Sequence, residues 1–324
     1  MIKFAIFAFL AIALVGMAGA QSLNWREMAD LPQPVAGFMG GVIDGHVLIV
    51  GGSSWDHGKK QWNRSVQSFD PRTNQWSQMS PMPEPRSDAA SVTIGNDLYV
   101  FGGDNSTGVL RDALVFHDGK WSAVPGAELP EPRKYANAVV ERGAVYLLGG
   151  MPTSGDYKSV TNTLWRWRPG DKGWEVLPAL PGPGRINHAM AEIGGKIFVF
   201  GGATTGPKDV QNLDDAYSYD PAHKHWTRLP DLSVANRSWW AIGIGDRALV
   251  LAGYTNDYAR AVYWYSPGKG LESAGELPHG LADAKFYRVG DLVIGSGGEA
   301  GPGVRGKWTM EAKIPNITSG KHSR

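Results

Sequence analysis

The sequence predicts an all-β chain made of six repeated units, and three observations support this prediction. The chain contains 43 glycines, 21 prolines and 13 tryptophans with little helical periodicity, which indicates many short strands joined by turns. An apolar run ending in Gly-Gly or Ala-Gly recurs every 45 to 52 residues, with its glycine step at positions 51, 102, 149, 201, 252 and 297. A tryptophan precedes five of these steps by 26 to 28 residues. A fixed period of this length is typical of solenoids and propellers.

Each unit is predicted to supply four short strands. In the second unit the innermost strand is SDAASVTI, followed by DLYVFGG, DALVFHD and, outermost, KWSAV. Apolar residues alternate along each strand, so one face of a unit can pack against the next unit. The landmark of each unit lies in its outermost strand: Trp25, Trp76, Trp121, Trp174, Trp226 and, replacing tryptophan in the last unit, Leu271.

The apolar strand with its Gly-Gly step, the downstream tryptophan and the period near 50 resemble the kelch repeat across essentially the whole mature chain. The resemblance implies a six-bladed β-propeller. A strand at Trp25 has no blade before it, whereas the final copy stops after its third strand, WTMEAKI. We therefore expect the N-terminal strand to complete the last blade, which would close the ring and remove its exposed edges.

The N-terminus is typical of an export signal. Lys3 precedes an apolar run from Phe4 to Val15, and the small residues Ala18-Gly19-Ala20 follow. These features predict a signal peptide over residues 1–20, a propeller over residues 21–314 and a flexible tail over residues 315–324. The apolar run is shorter than the roughly 20 residues of a membrane helix, so we expect a periplasmic or secreted protein without membrane insertion after cleavage. The sequence does not indicate an oligomeric state.

Charge and cysteine content narrow the function classes. The net charge is +1, from 32 basic and 31 acidic residues without a charged run, so no nucleic-acid partner is expected. The absence of cysteine excludes thiolate catalysis, cysteine-ligated metals and the kelch-fold copper oxidases, which need a tyrosine cross-linked to cysteine. The chain also lacks the repeated Ser-x-Asp-x-Gly-x-x-Trp boxes expected of a hydrolytic sialidase. We expect neither a metal nor an organic cofactor.

Four arginines stand at the predicted start of the inner strands, ten to twelve residues after the landmark: Arg86, Arg133, Arg185 and Arg237. In a propeller this end of the inner strands lies on the face that carries the channel mouth. Each arginine could be structural, with its guanidinium bonded to carbonyls at a blade edge. Four together favour a second interpretation, in which they converge on an anionic ligand and bind its carboxylate.

Glu299 directly follows the last glycine step, and two interpretations of it remain open. It could neutralise the cationic mouth, or it could act as a general base. The segment from Glu299 to Arg305, EAGPGVR, resembles the Glu-Ala-x-Pro-Gly-x-Arg stretch of the sialic acid mutarotases, which are exported kelch propellers. The resemblance implies that Glu299 accepts a proton and that Arg305 contacts substrate. Trp55 and Trp62 lie in a region that resembles the first blade of such proteins and could form a sugar-stacking wall.

The resemblance implies an exported, cofactor-independent mutarotase that interconverts the anomers of N-acetylneuraminate or a related acidic sugar by acid–base ring opening. The alternative is a non-catalytic kelch module that binds an acidic glycan or a protein. The partner is expected to be an anionic small-molecule sugar in the first case. The sequence identifies neither the sugar nor the general acid.

Overall fold

The structure, a computed structural model, describes residues 22–207 and 209–315. Six four-stranded antiparallel sheets form blades, and the inner strands of successive blades pack against one another in a closed ring. The prediction of an all-β, six-bladed propeller is confirmed. The predicted signal peptide and all of the predicted tail except Pro315 lie outside the described residues.

The strands are numbered in chain order. In the first half of the chain they are β1 (Trp25–Glu27), β2 (Met39–Ile43), β3 (His46–Val50), β4 (Ser53–Asp56), β5 (Lys59–Trp62), β6 (Val66–Asp70), β7 (Gln75–Met79), β8 (Ala90–Ile94), β9 (Asp97–Phe101), β10 (Asp104–Asn105), β11 (Gly108–Val109), β12 (Ala113–His117), β13 (Lys120–Ala123), β14 (Asn137–Glu141) and β15 (Ala144–Leu148). A 3₁₀ turn at Tyr157–Ser159 follows. The remaining strands are β16 (Leu164–Trp167), β17 (Glu175–Leu177), β18 (Ala189–Ile193), β19 (Lys196–Thr205), β20 (Val210–Asp220), β21 (His225–Leu229), β22 (Arg237–Ile244), β23 (Arg247–Tyr254), β24 (Ala261–Ser266), β25 (Gly270–Glu276), β26 (Lys285–Val289), β27 (Leu292–Ser296), β28 (Glu299–Gly301), β29 (Val304–Arg305) and β30 (Thr309–Lys313).

From the inside outward, the blades are β2-β3-β6-β7, β8-β9-β12-β13, β14-β15-β16-β17, β18-β19-β20-β21, β22-β23-β24-β25 and β26-β27-β30-β1. We refer to them as blades one to six. Three short hairpins, β4-β5, β10-β11 and β28-β29, extend the loops after the glycine steps of blades one, two and six. These blades are neighbours in the ring, so the hairpins crowd one sector of the channel mouth.

The N-terminal strand closes the ring, as predicted. Strand β1 pairs antiparallel with β30 in blade six, with Trp25 opposite Ala312 and Arg26 opposite Glu311. The Arg26 Nε donates a hydrogen bond of 2.6 Å to the carboxylate of the buried Glu311. The last blade therefore contains strands from both ends of the propeller, and no covalent bond fastens it.

The hydrophobic core lies between the blades. The cluster between blades one and two, for example, contains Val50, Val66, Val100 and Phe116. Four of the five landmark tryptophans also join neighbouring blades, because their indole N–H groups donate to a backbone carbonyl of the preceding blade. These bonds run from Trp76 to Ala29, Trp121 to Ser80, Trp174 to Ala127 and Trp226 to Pro178, at 2.8 to 3.1 Å.

The glycine steps form the other part of each seam. In blade two, the Gly103 N–H donates to the Arg133 carbonyl at the start of blade three, at 2.6 Å. Gly103 has a φ of +93°, and a Cβ there would lie 2.5 Å from the carbonyl oxygen of Ser87. Only glycine adopts this φ without strain and leaves room for the Ser87 carbonyl, which explains why the repeat has glycine here.

Candidate functional site

A ring of six equivalent residues, one from each blade, surrounds the channel mouth near the start of the inner strands. All six have left-handed backbone conformations, with φ between +52° and +61°. Five backbone hydrogen bonds of 2.7 to 3.2 Å connect them in sequence around the channel. We call this set the mouth ring: Gly37, Asp88, Tyr135, Asn187, Ser238 and Asp283.

The mouth ring is mostly polar although its backbone conformation favours glycine. Only one of the six positions is glycine, and a non-glycine residue in this region costs free energy, most of all for a bulky side chain such as Tyr135. Retention of two carboxylates, an amide, a hydroxyl and a phenol at such positions indicates that the side chains themselves matter. Strained backbone of this kind clusters at functional sites.

The mouth ring borders a cavity of about 60 Å³ at the top of the channel. Asn137, Trp240 and Lys285 line it one step deeper, on the inner strands of blades three, five and six. A cavity of this size accommodates a few waters or one small polar group. A sugar ring would have to lie above it, at the level of the hairpins.

Two ionisable groups of blade six face this cavity. Burial raises the pKa of Asp283 to about 6, the charges of Asp88 and Glu299 also raise it, and the Ser238 hydroxyl bond and Arg305 oppose the shift. Burial lowers the pKa of Lys285 to about 8 against the opposing charges of Asp88 and Asp283. Both groups therefore titrate close to neutral pH, which is the range in which proton transfer is most useful.

A buried network of acids and bases flanks the cavity on the side of blades one to three. Asp104 accepts hydrogen bonds from Ser87 Oγ at 2.7 Å, from Trp62 Nε1 at 3.2 Å and from the Lys134 ammonium. Lys60 reaches Asp88 at 3.0 Å and Asp104 at 3.5 Å. Lys60 and Trp62 belong to hairpin β4-β5, so the network fastens that hairpin beside the mouth.

Glu299 and Arg305 occupy opposite strands of hairpin β28-β29. Arg305 Nη1 lies 2.9 Å from Glu299 Oε1, and the Gly303 N–H donates to the same oxygen at 3.2 Å. Arg305 also donates to Ser53, from Nε to the carbonyl at 3.2 Å and from Nη2 to the hydroxyl at 3.3 Å. The two residues that the sequence singled out are thus brought together, and Arg305 links blade six to blade one.

The same hairpin lies next to Asp283. A backbone bridge joins Glu299 to Ala282 through two hydrogen bonds of 2.7 and 2.8 Å, and Asp283 is the following residue. Tyr258 is also close. Burial raises its pKa, and the nearby charges of Glu299 and Asp283 raise it further. Trp55, which is 45% exposed, lies 5.9 Å from the Arg305 guanidinium. Its exposed ring stands at the rim, whereas Trp62 points its N–H at Asp104.

The expected convergence of four arginines on the channel is wrong. Arg86, Arg133 and Arg185 are each 0 to 2% exposed and line no part of the cavity. Their partners belong to the protein. Arg86 binds the Gly102 carbonyl at 2.7 Å and Asp112 at 2.6 Å, and Arg133 binds Glu131 and the Pro132 carbonyl, both at 3.1 Å. Arg185 binds the Gly201 carbonyl and both oxygens of Asp215, all at 2.9 Å. Each guanidinium fastens its own blade, which is the structural interpretation.

Arg237 is not equivalent to the other three. The position that accepts a hydrogen bond from the second glycine of the preceding blade is Asn236, whose side chain donates to the Ala252 carbonyl at 3.1 Å. Arg237 lies one residue later, donates to Asn212 Oδ1 at 2.6 Å and lies over the ring of Tyr254. The distance from the landmark tryptophan to the arginine varies by two residues among the blades, so the sequence spacing does not reveal this shift.

Sequence reasoning missed Asp88, Tyr135, Asp283 and Lys285. A signal for the first three was present: the mouth ring lies two residues after the arginine position of the repeat, and its residue type changes from blade to blade. Among residues 22–207 and 209–315, no cluster of three or more histidine, aspartate or glutamate side chains is arranged to hold a metal. The same residues contain no helix that is long and apolar enough to cross a membrane.

Comparison with known proteins identifies the repeat. A model of the KLHDC2/KLHL20/DRC7 Kelch-repeats domain matches residues 20–183, and a Kelch motif model matches residues 184–233. The curated relatives include Kelch-like protein 36 of Bos taurus, 28% identical over 273 residues (81% of this chain, 43% of that protein). Kelch-like protein 34 of Homo sapiens is 26% identical over 242 residues (71% of this chain, 36% of that protein). The chain therefore spans less than half the length of these relatives.

The fold also matches a solved structure described as "Structure of YjhT". The TM-score is 0.70 with 18% sequence identity, and the match covers 87% of this chain and 96% of that chain. At this level of identity the similarity shows a shared fold. It extends over nearly the whole of both chains, hence over the propeller and its mouth.

Proposed function

The chain belongs to the kelch-repeat family, and we propose that it is an exported mutarotase that interconverts the anomers of N-acetylneuraminate or a related acidic sugar. One observation carries the proposal: the Glu299–Arg305 pair adjoins Asp283, at the mouth of a cavity that is lined by polar side chains. Acid–base isomerisation needs two groups that exchange protons on either side of one carbon atom. Glu299 and Asp283 are our candidates for these two groups.

The resemblance of the segment Glu299 to Arg305 to the mutarotase stretch supports the choice of reaction. Its residues form hairpin β28-β29, in which Pro302 and Gly303 make the turn that sets the glutamate opposite the arginine. Six residues of separation in the sequence thus become a contact of 2.9 Å. Among the described residues, Glu299 Oε2 has no hydrogen-bond partner, so one carboxylate oxygen is available to a ligand.

In the proposed reaction, Glu299 accepts the proton of the anomeric hydroxyl while a second group donates a proton to the ring oxygen. The bond between the ring oxygen and the anomeric carbon breaks, and the open chain carries a ketone and a new hydroxyl. Rotation followed by the reverse proton transfers closes the ring on the other face, so no atom is gained or lost. Asp283, whose pKa is raised by burial to about 6, is suited to be the donor. General acid–base assistance of this kind contributes about 10²- to 10⁴-fold.

Proton NMR of freshly released N-acetylneuraminate tests the proposal. We expect the wild type to accelerate the exchange of anomer signals and Glu299→Gln to lose most of that acceleration. Glu272→Gln is the matched control, because Glu272 is exposed on the outermost strand of blade five. If the wild-type protein leaves the exchange rate at its value in buffer, the mutarotase proposal is wrong.

A non-catalytic module that binds an acidic glycan is the second candidate, and the charge balance at the mouth favours it. Glu299 is already paired with Arg305, and Lys60 and Lys134 are paired with Asp88 and Asp104, which suits a preformed binding surface. Calorimetry separates the two candidates. Tight binding of N-acetylneuraminate without faster anomer exchange would support the module and contradict the enzyme.

A further inference from the structure

Lys285 is a half-buried cation without a hydrogen-bond acceptor among the described residues. Its Nζ faces the aromatic rings of Trp240 at 5.1 Å and Phe38 at 5.9 Å, and no described residue accepts a hydrogen bond from it. An ammonium group has three N–H donors, and none of them is committed to a described residue. The side chain lines the cavity, so an acceptor that enters the cavity can bind there.

The neighbouring carboxylates do not fill this role. Asp88 and Asp283 lie close enough for their charges to act on Lys285, but both are engaged elsewhere. Asp88 accepts hydrogen bonds from Lys60 at 3.0 Å and from Ser87 at 2.9 Å, and Asp283 accepts one from the Ser238 hydroxyl. Burial lowers the pKa of Lys285 to about 8, so the ammonium is still mostly charged at neutral pH.

We propose that Lys285 binds the carboxylate of the ligand inside the cavity and that this residue, in place of the four arginines, provides the preference for an acidic sugar. The choice of sugar rests on the proposed function. The cavity of about 60 Å³ suits a carboxylate, with the pyranose ring above it at the mouth. Trp240 and Phe38 cover part of the ammonium with apolar rings, and a carboxylate bound there would form a charge-assisted hydrogen bond.

This placement also orients the reaction. In N-acetylneuraminate the carboxylate is attached to the anomeric carbon itself. A carboxylate held by Lys285 therefore places the anomeric carbon at the mouth ring, between Asp283 and the Glu299–Arg305 hairpin above it. An anchor on the reacting carbon fixes both proton-transfer distances at once.

Lys285→Met tests the inference, because methionine keeps the apolar contacts with Trp240 and Phe38 and removes only the charge. Lys313→Met is the matched control: Lys313 lies in the same blade, 71% exposed, and pairs with Asp291 away from the mouth. The probes are N-acetylneuraminate, its carboxyl methyl ester and D-glucuronate, with binding followed by calorimetry. We expect the variant to bind the two acids about 10- to 100-fold more weakly and the ester unchanged, since a hydrogen bond to a charged group is worth a factor of this size.

The outcomes separate this inference from the proposed function. If Lys285→Met still prefers the acid over the ester as the wild type does, the proposed role of Lys285 is wrong, whatever the rate of anomer exchange. Loss of that preference in a protein whose wild type does not accelerate exchange would support Lys285 and reject the mutarotase. Thermal unfolding of the variant controls for folding, and Lys285→Gln provides a second uncharged side chain. A wild type that binds neither acid would overturn the inference as well.

Discussion

Arg185 and Asp215 form a buried pair in which two guanidinium nitrogens each donate a hydrogen bond of 2.9 Å to a different carboxylate oxygen. Arg185 Nη1 also donates to the Gly201 carbonyl at 2.9 Å, and the Arg185 carbonyl accepts from Gly150 of the preceding blade. One residue thus fastens its own blade with its side chain and the neighbouring seam with its backbone. The repeat arginines belong to the fold.

We expect Arg185→Met to lower the free energy of unfolding by about 3 to 5 kcal/mol, because it leaves the Asp215 carboxylate buried without its partner. Urea denaturation followed by tryptophan fluorescence measures the change. Arg237→Met is the control: its hydrogen-bond partner is the neutral side chain of Asn212, so the loss is smaller. Equal losses in the two variants would show that the buried carboxylate is not the cause.

Arg305→Lys is expected to lower the rate of anomer exchange about 10- to 100-fold with little effect on stability. The lysine retains the positive charge but cannot bind Glu299 and both Ser53 oxygens at once, as the guanidinium does. A displacement of about 1 Å in a positioned catalytic group can cost this much in rate. Exchange rates and melting temperatures should be measured together. A variant with wild-type exchange would show that the position of the hairpin does not depend on the arginine fork.

The fold was predictable because its determinants repeat. Each blade carries the glycine step and five carry the tryptophan at a nearly fixed spacing, and both make the same backbone contacts in several blades. The unpaired strand at Trp25 and the truncated last repeat were enough to predict the closure that β1 and β30 make. A contact made six times leaves a periodic trace in the sequence.

The site was less predictable because its residues do not repeat. Asp283 gains its significance from the pKa that burial raises, and Lys285 from its place beside the cavity without an acceptor; neither is visible in residue type. The arginines repeat because their side chains bind within each blade, which is a role in the fold. Glu299 was identifiable because it departs from the repeat, and its partner Arg305 because a short turn brings residues six apart together.

Removal of β1 should open the ring. We expect a chain that begins at Met28 to lose the pairs of Trp25 with Ala312 and Arg26 with Glu311, which leaves the edge of β30 exposed and Glu311 buried without its cation. Size-exclusion chromatography should then detect association, and melting should occur at lower temperature. A chain beginning at Leu23 retains β1 and is the control. If both chains are monomeric and melt together, the closing strand contributes little.

Asp283→Asn should make the protein more stable and less active at neutral pH. Because burial raises the pKa of Asp283 from 3.8 to about 6, the wild type loses stability as pH rises from about 4 to 6, a loss of about 3 kcal/mol that persists above pH 6. Asparagine has no charge to bury and can still accept the Ser238 hydrogen bond. The variant should therefore match the wild type near pH 4 and exceed it in free energy of unfolding at pH 7.

Activity should change in the opposite direction. If protonated Asp283 is the proton donor, the wild-type exchange rate falls as pH rises through about 6, and this fall is absent from the residual activity of Asp283→Asn. Urea denaturation and anomer exchange, each measured between pH 4 and 8, give both profiles on the same samples. A stabilised variant that retains the wild-type rate and pH profile would show that Asp283 is buried at the mouth without taking part in proton transfer.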